Sequence, residues 1–419
     1  MASHDRPVRT RVLIVGGGPV GLVMSGLLSQ RGVPHWIVER RRDTLPAPAA
    51  HVLRRRPMRV LDQLGVGQEV RRAAMPLPLD YVTWCVTLGG REIGRLDLRP
   101  RDPRTGERGP EPWTHCSQNA LEPILLRRAR RSAEATVVRG AECIRLSSSE
   151  RGVSARIRLD DGGERDVEAA WAIAADGAGS PTRRALGIEM EGQGPLGRFC
   201  MVHFEADLTP WLEQRPGPIY WILNPESPGV LIVHHPRRSH VFMLPRVAAD
   251  GEAEPDVEQR LARALDVPIP LKILSVDRWS PHVQVASRYR EGRTFLVGDA
   301  AHRFPPTGGL GLNTGILEAR ELAVRLARVE AGEPEALLDE YERVCRPVAR
   351  ANADESFENM KLLAEISRVL GDGSDRAGLE RRVAELDDSE RRQLDKAIEA
   401  QRSHFLSDGS FPGAADAGR

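Results

Sequence analysis

The segment spanning residues 11–40 constrains the fold of this chain more than any other stretch. An apolar run at 12–15 is followed by glycines at positions 16, 18 and 21 and then by an apolar segment of helical length. Between a buried strand and a helix, this G-x-G-x-x-G spacing permits a tight turn, close approach of a pyrophosphate to the backbone, and packing of the helix on the strand. A second apolar run at 35–38 ends at Glu39, about 20 residues after the first glycines, where an acidic residue commonly binds ribose hydroxyls. The unit predicts a dinucleotide-binding fold with phosphate at the helix N-terminus.

Composition excludes several other classes of function. The formal net charge of +1 on 419 residues provides no field that would attract nucleic acid or an anionic membrane, so a small-molecule partner is expected. The five cysteines are scattered without a C-x-x-C pair, which indicates reduced thiols and no metal site. The N-terminus lacks a signal-peptide core, and no apolar run is long enough to span a membrane. A cytoplasmic protein is therefore expected.

Two further strand–turn–helix units follow later in the chain. One runs from the apolar segment 171–175 into Asp176-Gly177, and Ser180-Pro181 then has the pattern of a helix start. The other runs from 294–297 into Gly298-Asp299 and a glycine-rich loop before a helix from about 312 to 329. Short alternating strands separated by Pro, Gly, Ser and Asn lie between these units, as expected for an antiparallel sheet.

We therefore predict an α/β protein in which a Rossmann-like nucleotide-binding domain is interleaved with an antiparallel β-sheet substrate domain, followed by C-terminal helices. The first domain is assigned to residues 1–80, 114–190 and 280–370, and the β domain to residues 81–113 and 191–279. Residues 371–407 are assigned to a helical segment and 408–419 to a disordered tail.

A run of arginines precedes the helix predicted at 57–64. Arg54, Arg55 and Arg56 either form a solvated basic edge, or one of them turns inward to the cofactor phosphates or the active site. The residues alone leave both interpretations open.

Three motifs together resemble a known family. The segment GDAAHRFPPTGGLGLNTG at 298–315 is the most specific, and it follows the glycine motif with Glu39 and the Asp-Gly turn at 176–183 in the family order. Over roughly residues 10–370 the chain resembles the single-component FAD monooxygenases of the p-hydroxybenzoate hydroxylase type. The resemblance implies FAD as cofactor, NADPH or NADH as transient reductant, and hydroxylation of a phenolic or polycyclic aromatic substrate by O2 through a flavin C4a-hydroperoxide. Aromatic catabolism or secondary-metabolite tailoring is the implied setting.

The resemblance also assigns residues to the cofactor. No catalytic base is assigned, and His302 is interpreted as structural. The candidates for catalytic residues next to the flavin are Pro306, Gly309 and Leu310. Arg56 resembles an arginine near the flavin, although Arg54 and Arg59 stand where relatives often carry Asn and Glu. The implied FAD contacts are Gly16, Gly18, Pro19, Gly21, Glu39, Arg40, Arg56, Gln118, Asp176, Asp299, Pro306, Gly309, Gly311, Leu312 and Asn313.

Substrate residues are predicted from their position in the β domain. Tyr220, Trp221, His234 and His235 lie where the family lines its pocket, and any of them could orient or deprotonate a phenol. For each of them, a packed or surface position in the sheet is the alternative interpretation.

Other readings of the same fold stay open. Flavin-dependent halogenases use an N-terminal lysine and a W-x-W-x-I-P motif, whereas the first lysine here is Lys272. A flavoprotein dehydrogenase or reductase, a flavin-bound protein that shields a reactive intermediate, and epoxidising or ester-forming oxygenases remain as alternatives. Residues 396–404 resemble the start of a segment that larger relatives extend into a thioredoxin-like domain, which is expected to be absent here. Both a monomer and a homodimer are compatible with the sequence.

Overall fold

The computed structural model describes residues 6–405 except 77, 79, 100–112, 247–255, 372–374 and 403–404. The tail predicted at 408–419 lies outside the described residues. In the described part of the chain, no helix combines the length and the apolar character needed to cross a membrane.

The helices follow the predicted order along the chain. Their bounds are α1 Pro19–Ser29, α2 Arg55–Gln63, α3 Gly67–Ala73, α4 Gln118–Arg130, α5 Pro181–Ala185, α6 Thr209–Gln214, α7 Val257–Leu265, α8 Leu310–Glu330, α9 Asp339–Leu370, α10 Arg376–Ala384 and α11 Asp388–Glu399. Short 3₁₀ turns lie at Gly298–Ala300 and Glu335–Leu338.

The strands alternate with these helices in the first part of the chain and dominate its middle. Their bounds are β1 Val8–Val15, β2 His35–Glu39, β3 Val52–Arg54, β4 Tyr81–Cys85, β5 Glu92–Asp97, β6 Trp113–His115, β7 Ala135–Arg139, β8 Ala141–Ser149, β9 Gly152–Leu159, β10 Glu164–Ala174, β11 Met190–Gln193, β12 Phe199–Glu205, β13 Ile219–Ile222, β14 Gly229–His235, β15 Ser239–Pro245, β16 Lys272–Trp279, β17 Val283–Ala286, β18 Arg290–Glu291, β19 Thr294–Leu296 and β20 His302–Arg303.

A mostly parallel sheet forms the nucleotide-binding half. Strands β7, β2, β1, β10 and β19 are neighbours in that order and run parallel, and β18 closes one edge in the antiparallel sense. The apolar run at 12–15 is buried on both faces of β1, as a central parallel strand requires. Apolar residues of α1, α4 and α8 belong to the same buried core as the sheet.

An antiparallel sheet forms the second half. Its strand order is β16-β12-β15-β14-β13-β4-β5, with β13 and β4 as a parallel pair. Its core includes Leu370, Leu379 and Leu394 from the C-terminal helices. The structure therefore confirms the predicted α/β class with a separate β-sheet layer and C-terminal helices, while the exact domain boundaries stay a prediction.

Two small sheets lie beside these large ones, formed by β3 with β6 and by β11, β17 and β20. In the first, Val52 is paired with His115 and Arg54 with Trp113. This pairing brings residues from before α2 and before α4 into one wall.

Some local boundaries differ from the prediction. The second helix begins at Arg55, so Arg54 belongs to β3. The helical segment predicted at 371–407 contains two separate helices, α10 and α11, because Asp387 caps α11 by accepting from the backbone N–H groups of Ser389 and Glu390.

Candidate functional site

The three predicted turns meet at one edge of the parallel sheet. They follow β1, β10 and β19, which are adjacent strands, and the carboxyl ends of such strands are where α/β proteins bind ligands. A groove of about 440 Å³ opens there. Its walls include Gly18, Glu39, Asp176 and Asp299.

The glycines of the first turn have different roles. Gly16 has φ +109°, and a Cβ there would lie 2.2 Å from the carbonyl oxygen of Ala175. At Gly21 a Cβ would lie 2.1 Å from the carbonyl oxygen of Gly16. At Gly18 a Cβ would meet no described atom within 4 Å, because this residue faces the groove. Gly16 and Gly21 therefore serve the turn and the helix packing, whereas Gly18 leaves space for a ligand.

Glu39 lies at the carboxyl end of β2 and is 6% exposed. Its Oε2 accepts from the Gly17 N–H at 2.8 Å, and its Oε1 accepts from the Arg41 N–H at 2.9 Å. Burial opposes ionisation, but the N–H groups of Arg41 and Gly17 lower the pKa of the carboxyl below its ordinary value. Oε1 also accepts from Arg41 Nε at 3.3 Å, whereas Oε2 keeps a further acceptor position, which suits a ribose hydroxyl.

The second and third turns add two more carboxyl groups. Asp176 Oδ2 accepts from the Thr182 N–H at 3.0 Å, and its Oδ1 is buried without a hydrogen-bond partner among the described residues. A donor on a bound ligand would satisfy that atom. Asp299, in the turn after β19, is exposed to the groove.

Most of the predicted cofactor contacts lie together along this groove. They are Gly16, Gly18, Pro19, Glu39, Arg40, Gln118, Asp176, Asp299 and Leu312. Gly21 lies inside α1, and Arg56 is partly buried on α2 and lines neither this groove nor the cavity described below.

The groove also contains residues that the motifs did not indicate. Arg41 and Cys143 line it, and the Gln118 side chain donates to the fully buried Glu122 at 2.8 Å. Glu122 in turn accepts from the Leu45 N–H at 3.0 Å. The only available signal was an acidic residue one turn after Gln118 on the same helix.

A second, smaller cavity lies across the glycine-rich loop from the groove. Its volume is about 60 Å³. The walls come from the small β3–β6 sheet, from the antiparallel sheet, from the glycine-rich loop and from the C-terminal segment. The lining residues are His51, Val52, Arg54, Trp113, Ile219, Trp221, Val230, Ile232, Met243, Pro306, Thr307, Gly308, Gly309 and Phe405. This wall is largely apolar and aromatic, as in sites for aromatic ligands.

The four predicted substrate residues are distributed unequally around this cavity. Trp221 lines it, whereas the Tyr220 side chain is fully buried and its hydroxyl donates to the Arg215 carbonyl. Burial raises the pKa of the Tyr220 phenol above its ordinary value. His234 packs behind the wall, and His235 ends β14, where its Nδ1 accepts from the Arg237 N–H at 3.2 Å.

Arg54 turns inward from the arginine run. It is 1% exposed, and its guanidinium donates to the carbonyl of Gly308 at 2.7 Å and to that of Phe405. Its guanidinium carbon lies 5.9 Å from the centre of the Trp113 ring. Of the two interpretations offered for this run, the inward one describes Arg54, and the residue that reaches the cavity is Arg54 and not Arg56.

The Asn313 side chain links the glycine-rich loop to β3 by hydrogen bonds. Its Nδ2 donates to the carbonyls of Val52 at 2.8 Å and Gly309 at 2.5 Å, and its Oδ1 accepts from the Arg54 N–H at 2.8 Å. The amide predicted to contact FAD is therefore used within the protein. Leu310 is 2% exposed, and Gly311 is partly buried in the first turn of α8.

His302 lies within the motif but away from both cavities. It is fully buried, and its Nε2 is 3.1 Å from Glu318 Oε2, which also accepts from the Gly298 N–H at 2.9 Å. Burial alone would lower the pKa of His302, but Glu318 raises it above its ordinary value. This geometry supports the structural interpretation of His302.

A family comparison accounts for these features together. Residues 9–356 match the model of the FAD binding domain family. The chain belongs to this FAD-binding family. FAD is the family's cofactor and NAD(P)H its usual reductant, and the groove fits FAD through the open space at Gly18, the further acceptor position of Glu39 Oε2 and the unsatisfied Asp176 Oδ1.

Curated relatives are aromatic and polyketide oxygenases. The chain is 33% identical to 2,4-dichlorophenol 6-monooxygenase from Cupriavidus pinatubonensis, over 87% of this chain and 64% of that protein. It is 38% identical to a putative polyketide hydroxylase from Streptomyces halstedii, over 83% of this chain and 65% of that protein. The chain thus spans somewhat less than two thirds of the length of these relatives.

Solved structures share the architecture. The flavin-dependent monooxygenase PieE, in complex with FAD and substrate, has a TM-score of 0.86 at 30% identity, covering 95% of this chain and 72% of PieE. Aklavinone-11 hydroxylase with FAD and aklavinone has a TM-score of 0.74 at 31% identity, covering 85% of this chain and 69% of the hydroxylase.

Proposed function

We propose that this protein is an FAD-dependent monooxygenase that uses NAD(P)H and O2 to hydroxylate a phenolic or polycyclic aromatic compound, in aromatic catabolism or secondary-metabolite tailoring. One observation carries the proposal. The glycine-rich loop lines the apolar cavity through Pro306 and Gly309, and the first turn of α8, which follows the loop directly, lines the FAD groove through Leu312. A cofactor in the groove and a substrate in the cavity would therefore lie on either side of this loop and helix start.

The start of α8 supports a redox role for the loop. The helix spans 21 residues, its N-cap Gly309 has φ +62°, and its first turn carries no acidic side chain. The N-terminus of such a helix is positive, so it stabilises negative charge that develops nearby. FAD, when bound, supplies reduction by a nicotinamide and activation of O2. The protein's contribution at this loop is to stabilise the charge that reduction places on the cofactor.

The cavity wall supports an aromatic substrate. Trp113, Trp221, Ile232 and Met243 exclude water from the space beside the loop. Excluding water limits the side reaction in which activated oxygen is lost as hydrogen peroxide before it reaches the substrate. The mechanism implied by the family resemblance is part of this proposal.

The cavity must widen to hold such a substrate. Its volume of about 60 Å³ is far below the roughly 300 Å³ or more of typical ligand pockets. Phe405 forms part of the wall and is 4% exposed. Displacement of the Phe405 ring is one way in which the cavity could accept an aromatic ring system.

The names of the relatives support the substrate class. They act on a chlorinated phenol or on polyketides, and one structural neighbour was solved with aklavinone. A phenol carries a hydroxyl on an aromatic ring, and this hydroxyl activates neighbouring ring carbons toward electrophilic oxygen.

The test is NAD(P)H oxidation by the purified yellow protein under air, with and without a panel of phenols and polycyclic aromatic compounds. We expect one panel member to stimulate oxidation and to gain one oxygen atom, which carries the isotope when the gas is ¹⁸O2. Trp221→Ala should weaken this coupling and release more peroxide, whereas the core variant Tyr220→Phe should not. Bound FAD that neither nicotinamide reduces would contradict the proposal and favour a flavin protein that only binds its ligand.

A further inference from the structure

Three histidines form a cluster that reaches the small cavity through His51, with the other two rings packed behind it. His51 lines the cavity just before β3, His115 ends β6, and His234 lies on β14. The ring centres are 4.5 Å apart for His51 and His115, 5.4 Å for His51 and His234, and 5.3 Å for His115 and His234. The cluster therefore lies between the small β3–β6 sheet and the antiparallel sheet that contains β14.

The hydrogen bonding of this cluster is incomplete inside the protein. His115 is 1% exposed, with the Val233 backbone next to its ring, whereas both ring nitrogens of His234 are buried without a hydrogen-bond partner among the described residues. In the part of the chain that is described, no cluster of His, Cys, Asp or Glu has a geometry that could hold a metal ion. Buried imidazoles without a metal or a fixed partner are costly, which points to a role in binding or proton transfer.

The contact between His51 and His115 defines a path for a proton. Their Nδ1 atoms are 3.3 Å apart, so one ring donates and the other accepts. In neutral rings the donor then keeps a lone pair on Nε2, and the acceptor carries a proton on Nε2. A proton taken up by His51 Nε2 can therefore be matched by transfer of the Nδ1 proton to His115.

The surroundings keep the cluster neutral in the absence of a ligand. Burial lowers the pKa of His51 to about 4. Burial also lowers the pKa of His115 and His234 well below the ordinary value, and the neighbouring histidines lower both further. The other titratable groups near these rings are His203 on β12 and His240 on β15 of the antiparallel sheet. The charged side chain of Arg54 lines the same cavity as His51. A neutral ring can accept a proton, and an anion formed beside it raises its affinity for that proton.

We propose that His51 is the general base that deprotonates an aromatic hydroxyl of the substrate, that His115 shares the proton through the contact between the two Nδ1 atoms, and that His234 positions both rings by packing against them. The inference rests on the proposed function and narrows its substrate class to aromatic compounds with a free hydroxyl at the reacting ring. The substrate O–H bond breaks, an N–H bond forms at His51 Nε2, and the electron pair stays on oxygen. The resulting phenolate ring is richer in electrons and reacts faster with electrophilic oxygen. When the ring regains aromaticity, its carbon loses a proton to solvent and the cluster returns a proton to the phenolate oxygen.

The test uses the FAD-loaded full chain and a series of substituted phenols of decreasing pKa, with the methyl ether of one of them. His51→Gln should reduce hydroxylation of the least acidic phenol at neutral pH about 100-fold or more, in the range of general-base contributions. The loss should shrink as the phenol becomes more acidic or the pH is raised, because the substrate then arrives ionised. Flavin reduction by NAD(P)H in the presence of the methyl ether should be unchanged, which shows that the variant is folded and holds FAD.

Two further variants separate a proton path from a packing role. His115→Gln should show the same dependence on phenol acidity with a smaller loss, and the matched control His282→Gln, on the same half of the molecule, should show none. A loss in His51→Gln that is equal for every phenol would refute the proposal, as would wild-type rates throughout the series. If the wild-type protein itself hydroxylates no panel member, the proposed function fails, and the histidine assignment fails with it.

Discussion

Substitution of Gly18 by alanine separates cofactor binding from folding. Gly18 is the N-cap of α1 with φ −73°, a conformation that alanine adopts without strain. A Cβ there would meet no described atom within 4 Å, because the position opens onto the FAD groove. We expect the Gly18→Ala protein to fold normally and to bind FAD weakly.

The magnitudes follow from the structure. Alanine is a poorer N-cap than glycine by about 0.5 kcal/mol, and the lost freedom of glycine in the unfolded chain returns about 0.4–1 kcal/mol. The unfolding free energy without FAD should therefore stay within about 1 kcal/mol of wild type. A methyl group between the helix N-terminus and the pyrophosphate should remove charge-assisted hydrogen bonds worth about 1.5–3 kcal/mol, which weakens FAD binding roughly 10- to 100-fold.

Gly21→Ala is the contrasting variant. Helix propensity alone predicts a gain of about 1 kcal/mol for alanine inside α1. The added Cβ would lie 2.1 Å from the Gly16 carbonyl oxygen, however, so something must shift. Such overpacking typically costs about 1–3 kcal/mol or more. We expect a net loss of stability even without FAD.

The assay is thermal unfolding as a function of FAD concentration, together with quenching of FAD fluorescence on binding. A ligand that binds only the folded protein raises the unfolding temperature according to its Kd. Gly18→Ala should match wild type at zero FAD and fall behind as FAD is added. Wild-type FAD affinity in this variant would refute the placement of the pyrophosphate at α1, and unfolding of the variant without FAD would refute the open space at Gly18.

Three other predictions concern the buried His302–Glu318 pair, the core hydroxyl of Tyr220 and the cavity wall at Phe405. Because Glu318 raises the pKa of His302 in the folded protein, this pair stabilises the fold below about pH 6.5 and loses its effect as the pH rises through the raised value. Glu318→Gln should therefore lose about 3 kcal/mol at pH 6 and less at higher pH in urea unfolding, and a pH-independent loss would contradict this. Tyr220→Phe removes the hydrogen bond to the Arg215 carbonyl and should cost about 1 kcal/mol at unchanged turnover, so a large loss of turnover would return Tyr220 to the substrate site. Phe405→Ala should cost up to about 3 kcal/mol and lower the KM for polycyclic substrates relative to single-ring phenols, and an unchanged ratio of KM values would show that Phe405 does not limit entry.

The cofactor groove could be predicted well because its signals are local. Each turn is carried by a few consecutive residues between a strand and a helix, such as Asp176-Gly177 after β10. Adjacent parallel strands then bring such turns to one edge without further information. Dinucleotide binding follows from these local signals, whereas FAD as the particular dinucleotide comes from the resemblance to a known family.

The small cavity could not be predicted to the same extent, because it is assembled from distant segments. Arg54 is held by the carbonyls of Gly308 and Phe405, and no motif links these three positions. His51 meets His115 only because β3 pairs with β6. Alternation along β13 does require neighbouring residues to face opposite sides, but it does not say which side faces the cavity.

Alternation also explains the outcome for two predicted substrate residues. Trp221 faces the cavity, and Tyr220, one residue earlier on the strand, faces the core. Both could be proposed from the sequence, and only the packing of the sheet against the glycine-rich loop distinguishes them.

The order of the central strands also determines when this protein can acquire its cofactor. Strand β1 is paired with β2, which is made shortly after it, and with β10, whose partner β19 is made much later. During synthesis from the N-terminus, the glycine turn therefore emerges long before Asp176 and Asp299, and an N-terminal fragment has only one wall of the groove. Non-local pairing of this kind is slow and leaves an apolar strand edge exposed in the meantime. We therefore expect FAD to bind only after these three distant parts of the chain have docked, and its binding to stabilise that docking.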